Sequence, residues 1–201
     1  ISRRDGHEFE GGQIRFLMAI ADYLSLALNN AQLYQEMRRL ATTDQLSGLL
    51  TRRAFFERAE ARMEHAASDE EITVMILDID HFKRINDDFG HIVGDGAIRE
   101  VSAVFRENLR GEDIVGRYGG EEFCAFLPET SLNDGHAVAQ RICEVVRALT
   151  VAGVDRTLTV SIGVSSMRQN SGASTLSELL NNADSALYEA KNAGRDRVRI
   201  A

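Results

Sequence analysis

Between residues 13 and 42 the chain has neither glycine nor proline, and its apolar side chains return at helical spacing. Ile20, Leu24, Ala27, Ala31 and Tyr34 form one stripe, and Leu26, Leu33, Met37 and Leu40 form a second beside it. At about 1.5 Å of rise per residue such a helix is roughly 45 Å long, more than one small domain can cover. Two adjacent stripes suit a helix packed on a partner, most simply its own copy in a parallel coiled coil. The competing reading is an amphipathic helix lying on its own domain. Residues 1–11 are polar and glycine-containing, and read as a lead-in.

Past residue 42 the period changes repeatedly. Thr51 is placed to cap a helix running through Phe55, Phe56, Ala59 and Met63. Residues 72–77 are a short β-rich apolar run, with Asp78-Ile79-Asp80 at its end. A loop is expected over 90–94 and a helix over 96–108. Ile114 and Val115 on one side, and Phe123 to Leu127 on the other, flank Gly119-Gly120. That pattern predicts a hairpin with a two-residue turn, in which glycine supplies the positive φ. Residues 133–149 read as helix, 158–165 as strand, 176–193 as a last helix ended by Gly194, and 197–200 as a closing strand. Helices interspersed with short strands and one tight hairpin imply an α/β or α+β layered fold with an antiparallel element at its centre.

Composition narrows the class. The chain has 201 residues, 44% of them hydrophobic, which suits one domain plus an extension and excludes wholesale disorder. No apolar run has the length of a membrane span, and no signal-peptide pattern opens the chain. The first residue is Ile1 rather than Met, so a fragment of a longer protein is expected, with an upstream tether to a membrane left open. The two cysteines, Cys124 and Cys143, form no metal or disulfide framework; reduced buried thiols and a cytoplasmic location are expected. A formal charge of −8 argues against general nucleic-acid binding. It does not argue against a nucleotide bound with its own metal, where only local charge matters.

The candidate chemistry lies in three acids. Asp78 ends one apolar strand, while Glu121 and Glu122 follow the Gly-Gly turn at the mouth of another. If those strands are neighbours, three carboxylates gather at one edge of the sheet, a cluster suited to a hard divalent cation. Successive strand residues point to opposite faces, so Glu121 and Glu122 can both face one metal only if the chain is distorted beside the turn.

Asp78-Ile79-Asp80-His81-Phe82-Lys83, Asn86-Asp87, Phe89-Gly90-His91, Gly94-Asp95 and the run from Arg117 to Phe123 together resemble the GGDEF family of diguanylate cyclases. Ser161-Ile162-Gly163-Val164 and Ala190-Lys191-Asn192-Ala193-Gly194-Arg195 extend the resemblance, in order, over residues 42–200. It implies a central β-sheet surrounded by helices, akin to nucleotide cyclases and the polymerase palm. It also implies condensation of two GTP to cyclic di-GMP with release of pyrophosphate. Asp78 and Glu122 would hold Mg²⁺ (or Mn²⁺) with the Ile79 carbonyl, and Glu121 would ligate a second ion or act as base. Asn86 and Asp95 would read guanine, while His81, Phe82, Lys83, Lys191 and Arg195 would hold phosphates. Arg110 and Asp113 stand at the spacing of the family's inhibitory product site.

Residues 9–35 resemble the closing helix of a GAF sensory domain. Residues 1–41 are therefore expected to be a signalling stalk, and 42–201 the catalytic domain. Because one domain binds one GTP and the product is two-fold symmetric, a homodimer through the N-terminal helix is expected. The rival class is a catalytically silent module that binds GTP or cyclic di-GMP and signals through partners. Departures from the family pattern, Ser47 for Thr, Thr51 for Asn and Asp196 for Asn, remove no expected metal ligand.

Overall fold

The computed structural model describes residues 11–67, 69–168 and 175–201, with the side chains of residues 11–15, 17 and 33–41 left aside. The chain divides into two compact units, residues 1–41 and 42–201.

In the first unit, helix α1 runs from Gly11 to Thr42. Phe16, Met18, Ile20, Tyr23, Leu24, Leu26 and Leu28 are all exposed along it. The stripe positions Leu33, Tyr34, Met37 and Leu40 fall among the side chains outside the description.

The second unit follows the order β1 (Leu50–Thr51), α2 (Arg52–Glu64), β2 (Glu71–Ile79), α3 (Phe82–Phe89), α4 (His91–Asn108), β3 (Ile114–Arg117), β4 (Glu122–Leu127), α5 (Leu132–Arg147), β5 (Val160–Arg168), α6 (Leu176–Asn192) and β6 (Val198–Ile200). One six-stranded sheet has the order β1-β3-β4-β2-β5-β6. The central strand β2 is antiparallel to both β4 and β5. The two outer pairs, β1 with β3 and β5 with β6, are parallel.

Strand alternation sorts the core into two layers. Met75, Leu77 and Ile79 of β2 pack with Phe105, Ile142 and Val146 on the α4–α5 side. Ile72, Val74 and Ile76 pack with Phe55, Leu179, Leu180 and Leu187 on the α2–α6 side. The result is a mixed sheet covered by helices on both faces. Thr51 caps α2 as its sequence predicts, its Oγ1 accepting from the Ala54 amide, and the structure adds a reciprocal capping box of Thr175 and Glu178 at the start of α6.

Two local expectations are corrected. Residues 90–94 are not a loop: α4 already begins at His91, and only Gly90, at φ 86, separates it from α3. Gly94 lies within α4 because a side chain there would collide with the Asn86 amide of α3. Helix α3 was not anticipated, though Phe82, Ile85 and Phe89 recur at helical spacing and pack on the core.

Candidate active site

Alternation along β2 puts Asp78 on the α6 face, with Ile72, Val74 and Ile76. In β4, Cys124 and Phe126 lie on that same face, and Glu122 is in phase with them. The register sets Asp78 directly opposite Glu122 on one side and Ser161 on the other. Two carboxylates thus share one face at one end of the sheet. Lys191, in the last turn of α6, reaches Asp78: its Nζ lies 2.9 Å from Asp78 Oδ2. Burial pushes the Asp78 carboxyl up to about 6; Lys191 opposes the rise, and Glu121 and Glu122 add to it.

The Gly-Gly turn is not the expected two-residue turn. Arg117 pairs with Phe123, and the amides of Tyr118 and Gly119 both donate to the Glu122 carbonyl, at 2.8 and 3.2 Å. The hairpin therefore closes through Gly119-Gly120-Glu121. Neither glycine has a positive φ; those of the described residues are at 48, 90, 153 and 194. The extra residue takes Glu121 out of the alternation of β4, so Glu121 and Glu122 are not forced to opposite faces. The Glu121 carbonyl accepts the Ile79 N–H at 3.3 Å, carrying the β2–β4 contact one step past the strand end. A Cβ at 119 would displace the Glu122 carboxylate from its present position, whereas Gly120 faces open space.

The loop is held from behind. Arg117 Nε and Nη2 donate to the Gly120 carbonyl at 3.0 and 2.6 Å, while Nη1 donates to both Asp44 oxygens at 3.0 and 3.2 Å. Asp44 also accepts from the Ser47 amide and hydroxyl at 2.8 and 2.7 Å. Burial works to raise the Asp44 carboxyl, but the Ser47 donors and Arg117 outweigh it and hold the group below its ordinary 3.8. A depressed carboxyl contributes stability above its unfolded value and loses it as pH falls through the folded one. Asp44→Asn is accordingly expected to cost about 1–2 kcal/mol at pH 7, with the gap from wild type closing as pH drops below about 4. Urea melts at both pH values check this; a gap independent of pH would refute it.

The other expected site residues fall in two places. His81, left-handed at φ 57, precedes α3, so the first helical amides, of Phe82 and Lys83, have no intrahelical acceptor. Phe82 is buried and Lys83 exposed. Asn86 of α3 lies against Gly94 of α4, and Asp95 follows in the same turn. Arg195 is half-buried in the turn after α6. Arg110 and Asp113 lie apart, between α4 and β3. The Asp113 Oδ2 accepts the Arg110 amide at 2.7 Å, and its Oδ1 is buried without a partner among the described residues. Burial pushes the Asp113 carboxyl up, and the Arg110 amide partly offsets this. Beside them is a cavity of about 330 Å³ whose lining includes Arg58, Arg106 and Arg110, but none of the three acids of the sheet edge.

Among the described residues no three acids, histidines or cysteines close into a ready-made metal cage. Mg²⁺ is commonly held by one or two carboxylates together with substrate phosphates, and the Asp78–Glu122 pair fits that mode. Sequence reasoning missed the roles of Asp44 and Arg117 in holding the loop. The only local sign was a charged residue on each side of the elements they join.

The family model for the GGDEF domain of diguanylate cyclases matches residues 41–197. The chain belongs to the GGDEF family. It is 39% identical over 170 residues to diguanylate cyclase DgcP of Pseudomonas aeruginosa, covering 83% of this chain and 25% of that protein. It is 35% identical over 204 residues to diguanylate cyclase A of Treponema denticola, covering 97% of this chain and 53% of that one. The GGDEF chain thus spans between a quarter and about half of these relatives' lengths. The crystal structure of the coiled coil and GGDEF domain of DgcB from Caulobacter crescentus, in complex with c-di-GMP, superposes with a TM-score of 0.85 at 28% identity, covering 92% of this chain and 99% of that one. The fold is the cyclase- and palm-like α/β arrangement that the sequence resemblance implies. No helix among the described residues is long and apolar enough to cross a membrane.

Proposed function

We propose that this chain is the stalk and catalytic domain of a diguanylate cyclase. Two GTP molecules, one per domain, condense to cyclic di-GMP; each 3′-hydroxyl attacks the other nucleotide's α-phosphate, and two pyrophosphates leave. The observation that carries this reading is the Asp78–Glu122 pair, set opposite each other on the α6 face beside Lys191.

Asp78, Glu122 and the Ile79 carbonyl would hold Mg²⁺, which when bound offsets charge developing on the phosphate. Glu121, free of strand alternation, would ligate a second ion or take the hydroxyl proton. The amides at the start of α3, with Lys83, offer donors to phosphate oxygens. Lys191, whose Nζ lies 2.9 Å from Asp78 Oδ2, and Arg195 would supply positive charge to the β- and γ-phosphates. Asn86 and Asp95, brought together at the α3–α4 junction, would read the guanine edge: a carboxylate accepts from both N1–H and the 2-amino group, which adenine lacks. Buried free thiols at Cys124 and Cys143 accord with a reducing, cytoplasmic setting.

The deciding experiment is incubation of the purified chain with GTP and Mg²⁺ across protein concentrations, with products identified by mass spectrometry. Cyclic di-GMP, formed with a steeper than linear dependence on protein and not from ATP, is the expected result. GTP left intact even by an enforced dimer would overturn the reading in favour of a silent binding module.

Dimerisation through α1 is supported by its row of exposed apolar side chains. Leu26→Glu should lower turnover about tenfold or more at sub-micromolar protein and less at high concentration, because the stalk raises the effective concentration of one half-site for the other. An unchanged concentration dependence would remove α1 from the interface.

Arg110 and Asp113 form the proposed product site, with the arginine side chain directed to phosphate or guanine. Arg110→Ala should keep initial turnover and abolish the slowing that accumulated cyclic di-GMP causes. Equal inhibition of variant and wild type would refute it.

A further inference from the structure

Asp80 has no part in the chemistry above, yet it is heavily engaged. It is 4% exposed. Its Oδ1 accepts the Ser161 hydroxyl at 2.7 Å, and its Oδ2 accepts the Thr159 hydroxyl at 2.8 Å and the Asp196 amide at 3.0 Å. Its own amide donates to the Thr159 carbonyl at 2.9 Å. One carboxylate thus joins the end of β2, the start of β5 and the turn between α6 and β6.

That turn has an unusual backbone. Helix α6 ends with the Arg195 amide on the Ala190 carbonyl at 3.0 Å and the Gly194 amide on the Lys191 carbonyl at 3.4 Å, a Schellman arrangement. Gly194, Arg195 and Asp196 then follow one another at φ 108, 61 and 48. Residues with a Cβ resist this region, so two in succession keep it only because their surroundings hold them there. The holders are few. Asp80 takes the Asp196 amide; Arg147 of α5 grips the Asp196 carboxylate through Nε and Nη2 at 3.0 and 2.9 Å; and Arg197 Nε donates to the Arg195 carbonyl at 2.8 Å. The turn carries Arg195 and directly continues the helix end bearing Lys191. Asp80 itself stands next to Ile79 and two residues beyond Asp78.

We propose that Asp80 is a positioning residue that fixes the cationic arm, Lys191 and Arg195, against the edge formed by Asp78 and Ile79. The inference rests on the reading of this edge as a GTP site. Because both halves of the triphosphate site are referred to one carboxylate, its loss frees the arm. The guanine contacts from Asn86 and Asp95 belong to α3 and α4 and stay in place. Asparagine at 80 preserves the clasp: its oxygen can accept the Asp196 amide and the Thr159 hydroxyl, and its NH₂ can donate to a Ser161 hydroxyl turned to accept. Alanine preserves none of it.

The test is binding by the full chain, with Mg²⁺, of 3′-deoxy-GTP, which lacks the attacking hydroxyl, and of 3′-deoxy-GMP, followed by calorimetry. Asp80→Ala should weaken the triphosphate about tenfold or more and the monophosphate less than about twofold, while Asp80→Asn stays within about threefold of wild type for both. Arg147→Met, at a half-exposed side chain, should weaken the triphosphate alone, by less than Asp80→Ala. Equal losses for the two nucleotides in Asp80→Ala, unchanged triphosphate binding, or an Asp80→Asn as impaired as the alanine variant would each overturn the proposal. If Asp80→Ala does not fold, Arg147→Met decides, and an unaltered triphosphate-to-monophosphate ratio there overturns it. A wild type that binds neither nucleotide would overturn the GTP reading itself, an outcome distinct from a wild type that binds and variants that bind equally.

Discussion

Asp78→Asn and Glu122→Gln should each lower cyclase turnover by about a thousandfold or more and leave the domain folded. The two carboxylates face each other across the β2–β4 register at the end of the sheet. Each replacement keeps shape and removes only the anionic oxygen that a divalent cation needs. Stability should respond differently from activity. Asp78 is buried, and its carboxyl is pushed up to about 6 by that burial, with Lys191 only partly compensating. Asparagine removes the burden of keeping a charge there, and Lys191 is exposed enough to turn to water. Asp78→Asn is therefore expected to melt in urea at or above the wild-type midpoint, an exchange of activity for stability typical of sites that concentrate like charge. Glu122→Gln should be close to neutral, since its carbonyl keeps the Tyr118 and Gly119 amides. Either variant retaining turnover within about tenfold of wild type would remove that residue from the proposed metal site. Glu121→Gln separates the two roles left to it: a general base leaves a changed pH–rate profile, whereas a metal ligand leaves a defect that raised Mg²⁺ or Mn²⁺ relieves.

What the sequence disclosed depended on how local the cause was. The strands β2, β4 and β5 were legible because each buries alternating side chains in two core layers and so reads as an apolar run. The cap at Thr51 acts within three residues. The start of α4 was hidden because Gly94 and Gly96 weaken a helix locally, and the reason for Gly94 is the Asn86 side chain on another helix. The size of the Gly-Gly turn was hidden for a longer-range reason. Its third residue is accommodated because Arg117 ties the Gly120 carbonyl to Asp44, a partner 73 residues away in sequence. The three acids were found as a motif, but that Glu122 faces Asp78 while Glu121 leaves the strand is a property of the register. Asp80 was quoted in the motif without a role, since its partners lie 79, 81 and 116 residues further on.

Gly163→Ala should be among the most damaging single-methyl changes in this domain. Gly163 lies in the middle of β5, paired with Ile76 of the central strand, on the face that α6 covers. A Cβ there would overlap the Ala183 carbonyl oxygen and the Leu187 amide nitrogen, both of them helix backbone. No rotamer relieves a clash with backbone, so α6 must withdraw from the sheet. Withdrawal opens space beneath Leu179, Leu180, Ala183 and Leu187, which are all buried. Overpacking and the resulting void act together, and a loss of about 3 kcal/mol or more is expected, a large share of the roughly 5–15 kcal/mol that holds an ordinary domain. At about 2–4 °C per kcal/mol, the melting temperature should fall by about 10 °C. Gly96→Ala is the internal control. It lies within α4, nothing stands within 4 Å of the added Cβ, and its φ is not positive. There the same methyl should stabilise the domain by about 0.5–1 kcal/mol through helix propensity. The same methyl thus meets helix backbone at 163 and open space at 96, where only its effect on helix propensity remains. A Gly163→Ala midpoint equal to wild type would mean that α6 does not rest on β5 at this distance, and the placement of Lys191 beside Asp78 would fall with it.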